Sequence, residues 1–240
     1  MLGASGSYQG PGGACSGYLV EGGGVRVAVD LGPGALANLQ RHIPIEALDA
    51  VFVSHSHPDH WVDLTGLRVA LRYGLGRDGL VVYGTAETRA LAEAVATDLR
   101  PTFDWHDTGD GDEFAVGGLR FRASRTDHYV ETLAVRVDDV ASGASLAYSA
   151  DTGPGWSFAA LGTGIDLALC ESTYPTDEQA EGVLHLSARQ AGAMARSAGV
   201  TRLVLTHLWP RSDPDEHRRR GSEAFGEPVS IATIDERYDL

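Results

Sequence analysis

The segment Ser54-His55-Ser56-His57-Pro58-Asp59-His60 sets four metal-binding side chains within six consecutive positions. Imidazole nitrogen and carboxylate oxygen both suit a borderline divalent cation such as zinc, and so dense a polar set resists apolar burial. The chain holds nine histidines in 240 residues, so three within this segment mark a built site rather than chance. His55 and His57 alternate along what reads as extended chain, and Pro58 keeps His57 extended. Asp59 and His60 follow at the start of an expected helix and address a second point. The spacing suits two neighbouring metals better than one. Two metals need further ligands, and three candidates share the same placement after an expected strand: His128, Asp151 and His207. His185, just before an expected helix, is a fourth.

The elements that must position these groups are legible in outline. Gly17–Glu21 and Val25–Asp30 read as strands joined by a turn at Gly22–Gly24. A short helix runs from Pro33 to about His42. Asp49–Val53 is an apolar run suited to a buried strand, and it stops where the histidine cluster begins. Trp61–Tyr73 has helical spacing, Leu80–Tyr83 reads as a strand, and Ala86–Leu99 reads as a helix with Leu91, Val95 and Leu99 as its apolar stripe. Strands follow at Glu113–Val116, Leu119–Ala123, Thr132–Val137, Ser145–Ser149 and Ile165–Cys170, with turns at Gly117-Gly118 and Ser142-Gly143. Ser187–Ala198 is the clearest helix: Ser187 and Gln190 can form a capping box, and Gly199 stands where a terminating glycine belongs. Arg202–Leu205 is a strand, and Asp215–Phe225 a surface helix. Two sheets packed together, with helices on the outer faces, accommodate this order. No linker or repeat divides the chain, so one domain over 1–240 is expected.

Bulk properties narrow the function. The formal net charge is −14. A broadly acidic surface repels a nucleic-acid backbone, so an extended nucleic-acid partner is not expected, although bound metals still accommodate a small anion. All 19 basic residues are arginine, which excludes a Schiff-base or phosphate-loop lysine. Two distant cysteines, Cys15 and Cys170, indicate no disulfide framework. Met1–Gly13 lacks the basic and apolar regions of a signal peptide, and no apolar run approaches membrane-spanning length. A cytoplasmic protein without a membrane partner is the expectation.

His55-Ser-His57-Pro-Asp59-His60 resembles the H-x-H-x-D-H signature of the metallo-β-lactamase superfamily. Ser149-Ala-Asp151-Thr152 resembles that family's S-G-D-T segment. Cys170-Glu171-Ser-Thr173-Tyr174, Leu184-His185-Leu-Ser187 and Thr206-His207-Leu-Trp-Pro-Arg211 resemble late segments of its ribonuclease Z branch. The resemblance spans the chain from about Leu2 to about Tyr238. It implies an α/β fold, the four-layer αββα sandwich. It also implies that His55, His57 and His128 hold one metal, that Asp59, His60 and His207 hold a second, and that Asp151 bridges both. Ribonuclease Z carries a long tRNA-clamping arm between its third histidine and bridging aspartate. Here only Tyr129–Ala150 occupies that interval, enough for a hairpin. In this respect the chain is similar to the compact actinobacterial cyclic-nucleotide phosphodiesterases of the branch.

The resemblance therefore implies hydrolysis of a small nucleotide phosphodiester, such as a cyclic nucleotide, at two divalent metals. Zinc suits the donors, and manganese or iron also fits a mixed nitrogen and oxygen site. Asp59 would accept a proton or orient the nucleophile, His185 would stabilise charge or protonate the leaving oxygen, and Glu171 would orient His185. A homodimer is the default for the branch. The competing readings are tRNA 3′-processing, hydrolysis of a lactone or thioester carbonyl, and a metal-free binding scaffold. Arg211 is either a phosphate contact or a plain surface arginine. Trp61, Tyr73 and Trp156 are either base-stacking residues or packing residues.

Overall fold

The computed structural model describes residues 1–240. In chain order its strands and α-helices are β1 Gly17–Gly22, β2 Val25–Leu31, α1 Ala35–Leu39, β3 Ala50–Val53, α2 Pro58–Trp61, α3 Asp63–Val69, β4 Leu80–Gly84, α4 Ala86–Ala96, β5 Phe103–Asp107, β6 Glu113–Val116, β7 Leu119–Arg125, β8 Leu133–Asp139, β9 Ser145–Tyr148, β10 Leu167–Glu171, α5 Asp177–Ala180, α6 Ala188–Ser197, β11 Arg202–Thr206, α7 Pro214–Phe225 and β12 Ser230–Ile231. One sheet has the order β1-β2-β3-β4-β5, and the other β12-β11-β10-β9-β8-β7-β6. The β1–β2 and β6–β7–β8–β9 pairings are antiparallel, while β2 to β5 and β9 to β12 run parallel.

Side-chain alternation builds three apolar layers from these strands. Val27, Val29, Ala50 and Phe52 point inward and meet Phe121, Val135, Leu169 and Val204 of the opposite sheet. Ala28, Val51, Val53 and Val82 point outward and pack on Leu39, Leu64 and Leu67 of α1 and α3. Ala147, Ala168, Cys170 and Leu205 do the same against Ala191, Ala195 and Phe225 of α6 and α7. The period of two, apolar on both faces, is what a sheet covered on both sides requires. The result is the αββα sandwich, the metallo-β-lactamase fold.

Two of the expected helices differ from their sequence reading, and α5 was not expected. The expected helix over Trp61–Tyr73 is broken: α2 begins at Pro58, α3 follows after Val62, and Ala70–Leu75 widens into a π-helical segment. In α4 the buried residues are Thr88 and Ala92, whereas Leu91 and Val95 are exposed and Leu99 lies beyond the helix. The expected stripe is therefore not its buried face. α6 has the capping box: the Gln190 N–H donates to Ser187 Oγ at 3.1 Å, and the Ser187 N–H donates to Gln190 Oε1 at 2.8 Å. No helix is long and apolar enough to cross a membrane.

α7 is more than a surface helix, because it buries His217. The His217 ring nitrogens lie 2.9 Å from Ser172 Oγ and 2.8 Å from Ser212 Oγ. Burial lowers its pKa from 6.5 to about 4, against the Glu216 and Asp213 carboxylates, which raise it. The imidazole is thus neutral in the fold, and protons favour the unfolded chain below pH 6.5. The stability it contributes is present above that pH and is lost as pH falls toward 4, by up to about 3 kcal/mol. Urea denaturation at pH 7 and at about pH 4.5 tests this. His217→Asn should lose about 2–3 kcal/mol less than the parent over that interval, and equal losses would contradict it.

Candidate metal centre

Four residues of the polar cluster stand at the carboxyl ends of parallel strands. His55 follows β3, Asp151 follows β9, Glu171 ends β10 and His207 follows β11. That edge of an open parallel array is where strand-to-helix loops converge. His128 arrives from the loop after β7, and Asp59 and His60 from the first turn of α2. His57 precedes α2 with φ −68° and ψ 136°, the extended geometry that Pro58 imposes.

The fold brings together all seven positions singled out as ligands. Ligand atoms of His55, His57, His128 and Asp151 lie within 4.8 Å of one another, as do those of Asp59, His60 and His207. On one side, Asp151 Oδ2 lies 3.6 Å from His55 Nε2 and 3.8 Å from His128 Nε2, and His128 Nε2 lies 3.2 Å from His57 Nδ1. On the other, Asp151 Oδ1 lies 3.3 Å from both His60 Nε2 and His207 Nε2. Asp59 Oδ2 is 3.4 Å from His60 Nε2 and 3.3 Å from His207 Nε2. Donors about 2.0–2.1 Å from a tetrahedral ion are about 3.3 Å apart, so these separations match the edges of a coordination polyhedron. His55 Nε2, His60 Nε2 and Asp151 Oδ1 are buried without a hydrogen-bond partner in the protein. Orphaned polar atoms aimed at one point are what an ion would satisfy. The donor set therefore fits divalent metals.

The electrostatics agree. Burial lowers the His55 pKa well below 6.5, which leaves the ring neutral and available as a ligand. Burial also disfavours charge on His60, but Asp151, Asp59 and Asp30 outweigh it and raise its pKa. Burial opposes ionisation of Asp59 as well, yet His60 and His207 hold its carboxyl below the usual range. The pocket thus favours a cation among its carboxylates.

Asp30 is a residue that sequence reasoning missed. Fully buried, it accepts from the Ser54 N–H at 2.8 Å, Ser54 Oγ at 2.9 Å and the Tyr148 hydroxyl at 2.9 Å, and it lies 2.7 Å from His60 Nδ1. A carboxylate on Nδ1 fixes the ring and presents Nε2 to the cluster. Thr173 has a similar place at His207, its hydroxyl 2.9 Å from Nδ1. In the sequence Asp30 stands only as the last residue of an expected strand, 30 positions before His60, and nothing local ties the two together.

Backbone strain gathers here too. Ser7, Asp30, Ala150 and His207 adopt φ values of 61°, 58°, 50° and 56°, although none is glycine. Such conformations persist where surrounding contacts over-determine them. The Ser7 N–H donates to Asp59 Oδ2 at 2.9 Å. Gly32 admits α2 to the site, since a Cβ there would stand 1.9 Å from the Asp59 carbonyl oxygen.

His185 lies beside the cluster, and its Nδ1 is 2.8 Å from Glu171 Oε1. Its ring stacks on His207 at 5.5 Å, and one of its nitrogens is within 4.8 Å of ligand atoms of Asp151 and His207. Burial would lower its pKa, but Glu171 raises it to about 9. Glu171 is fully buried and also accepts from the N–H groups of Thr152, Thr173 and Leu186 and from the Thr173 hydroxyl. It therefore ties the Asp151 loop to the His185 loop.

Of the remaining candidates, Trp61 and Trp156 are buried, with their indole N–H groups donating to Ser56 O and Ser124 Oγ, so neither is placed to stack on a substrate. Tyr73 is 72% exposed in the π-helical segment. Arg211 is exposed and forms no ion pair.

A family model described as beta-lactamase superfamily domain matches residues 13–208. An uncharacterized protein of Mycobacterium tuberculosis is 34% identical over 250 positions, covering 100% of this chain and 91% of its own length. The crystal structure of the metallo-β-lactamase fold protein YhfI from Bacillus subtilis has a TM-score of 0.89 at 27% identity, covering 97% of this chain and 94% of that one. Ribonuclease Z of Methanopyrus kandleri is 27% identical, covering 98% of this chain and 94% of its own.

Proposed function

The chain belongs to the β-lactamase superfamily domain family and is a metallo-hydrolase; from that premise we propose that residues 1–240 form one catalytic domain, a dinuclear phosphodiesterase acting on a small nucleotide such as a cyclic nucleotide. The observation that carries this reading is the placement of one buried aspartate, Asp151, with Oδ2 toward His55 and His128 and Oδ1 toward His60 and His207. His55, His57 and His128 would hold one ion and Asp59, His60 and His207 the other, with zinc or manganese suited to the donors. Two ions so held would supply a nucleophilic water near neutral pH and polarise a phosphoryl oxygen.

The chain's own groups would do the rest. Asp59, whose Oδ2 accepts from the Ser7 N–H, would accept a proton or orient the attacking water. Glu171 takes Nδ1 of His185, which leaves Nε2 uncommitted. A proton held there is available to the leaving oxygen as its bond to phosphorus breaks. The interval from Tyr129 to Ala150 is filled by β8, β9 and their turn, with no projecting arm. Together with the charge of −14, this favours a small substrate over tRNA. Similarity to ribonuclease Z is the specific support for the second reading, endonucleolytic tRNA processing.

An assay panel separates the readings: cyclic mononucleotides, cyclic dinucleotides, pre-tRNA and a lactone, each with and without chelator. The expected result is turnover of a cyclic nucleotide that chelator abolishes and added metal restores. Preferential cleavage of pre-tRNA or of the lactone would overturn the proposal.

A further inference from the structure

We propose that Tyr8, Trp209 and Tyr174 form a stacking platform for the planar base of a nucleotide at the mouth of the metal centre. The proposal rests on the phosphodiesterase reading for the phosphate end of the ligand and adds what holds the other end.

Three distant segments deliver these rings to the same wall. Tyr8 follows Ser7, whose N–H touches the Asp59 carboxylate. Trp209 stands two residues beyond His207, and its N–H donates to the Thr173 carbonyl at 3.1 Å. Tyr174 follows Thr173, whose hydroxyl reaches Nδ1 of both His207 and His185, at 2.9 Å and 3.3 Å. The Tyr8 and Trp209 rings meet edge to face at 5.4 Å, and the Tyr174 and Trp209 rings lie near parallel at 6.0 Å.

The polar ends of these rings are unengaged, as are those of the half-buried Trp105 and Tyr238 but not those of the fully buried rings. The buried rings Trp61, Trp156, Tyr18 and Tyr148 all have their indole N–H or hydroxyl engaged within the protein. Within the protein, no hydrogen bond is made by the Tyr8 or Tyr174 hydroxyl or by the Trp209 indole N–H, and Tyr8 is 40% exposed. The loop bearing Tyr8 is also firmly set. The Gly6 N–H donates to Leu208 O at 2.8 Å, and Ser7 is held at a left-handed φ of 61°. Gly6 passes so close to His207 that a Cβ would stand 2.6 Å from its carbonyl oxygen. A strained, anchored loop whose Ser7 N–H reaches Asp59 and whose next residue is aromatic is suited to fixing a substrate. Stacking tolerates any base, because every base offers a π-face.

Calorimetric binding of adenosine 5′-monophosphate and ribose 5-phosphate tests the platform without turnover. The unaltered protein should bind the nucleotide about tenfold more tightly than the base-free phosphate, the fold-change that about 1.4 kcal/mol provides. Tyr8→Ala and Trp209→Leu should bring the two affinities to within about threefold while leaving ribose 5-phosphate binding unchanged, and Tyr8→Phe should retain the gap. An undiminished gap in both Tyr8→Ala and Trp209→Leu, or no gap in the unaltered protein, would overturn the platform. Cyclic-nucleotide turnover is measured in parallel. Its absence beside an intact, Tyr8-dependent gap would overturn the phosphodiesterase reading and support the platform.

Discussion

Asp151→Ala is expected to reduce turnover about 10³-fold or more and to leave the chain unable to retain a pair of metal ions. The magnitude follows from the several kcal/mol that metal assistance contributes, at tenfold in rate per 1.36 kcal/mol. The cause is local. Each oxygen of this buried carboxylate faces a different histidine set, so its loss removes a donor from both sides at once. The Asp151 loop is also pinned from behind, with the Thr126 hydroxyl donating to Asp151 O at 2.7 Å and the Gly155 N–H to Asp127 Oδ2 at 2.9 Å. The variant should therefore fold, and near-UV circular dichroism alongside metal analysis checks that the loss is chemical. Two retained ions with near-parental turnover would remove Asp151 from its proposed bridging place.

His185→Ala is expected to act differently: kcat should fall about 10²–10⁴-fold, the range for a general acid, while both ions remain. Its ring stands beside the ligand groups and is held by Glu171 rather than by Asp151. Glu171→Gln should also lower kcat, because an amide cannot accept hydrogen bonds at both of its polar atoms, and the buried carboxylate accepts from Thr152, Thr173 and Leu186 as well as holding His185. Metal content measured beside kcat separates this from ligand loss. An alanine variant at His185 with unchanged turnover would eliminate it from the chemistry.

What sequence reading could reach was decided by whether a residue's partners lie nearby in the chain. The spacing from His55 to His60 is local, and Pro58 fixes its geometry, so the cluster was legible outright. His128, Asp151 and His207 were legible as polar residues following apolar strands, because residues past the end of a buried strand emerge at a common edge. Asp30 was not legible: its meaning depends on meeting Ser54, His60 and Tyr148, the last of them 118 residues away. Ser7 was missed for the same reason, since its contact with Asp59 is made by a backbone N–H that any residue type supplies. Among the elements, β5 escaped because Phe103–Asp107 is mostly polar and lies at a sheet edge. In α4 the apolar spacing of Leu91 and Val95 misled, because the helix turns Thr88 and Ala92 to the interior instead. Trp61 and Trp156 were open between packing and stacking, and burial with satisfied indole N–H groups assigns them to packing.

Counting the metal bound per chain is the most direct check on the account. Protein stripped by chelator, titrated with zinc or manganese and analysed by mass spectrometry of the bound ions, should take up two equivalents, and Asp151→Ala should no longer retain a pair. Saturation at one equivalent, or uptake of two by Asp151→Ala with parental affinity, would contradict it.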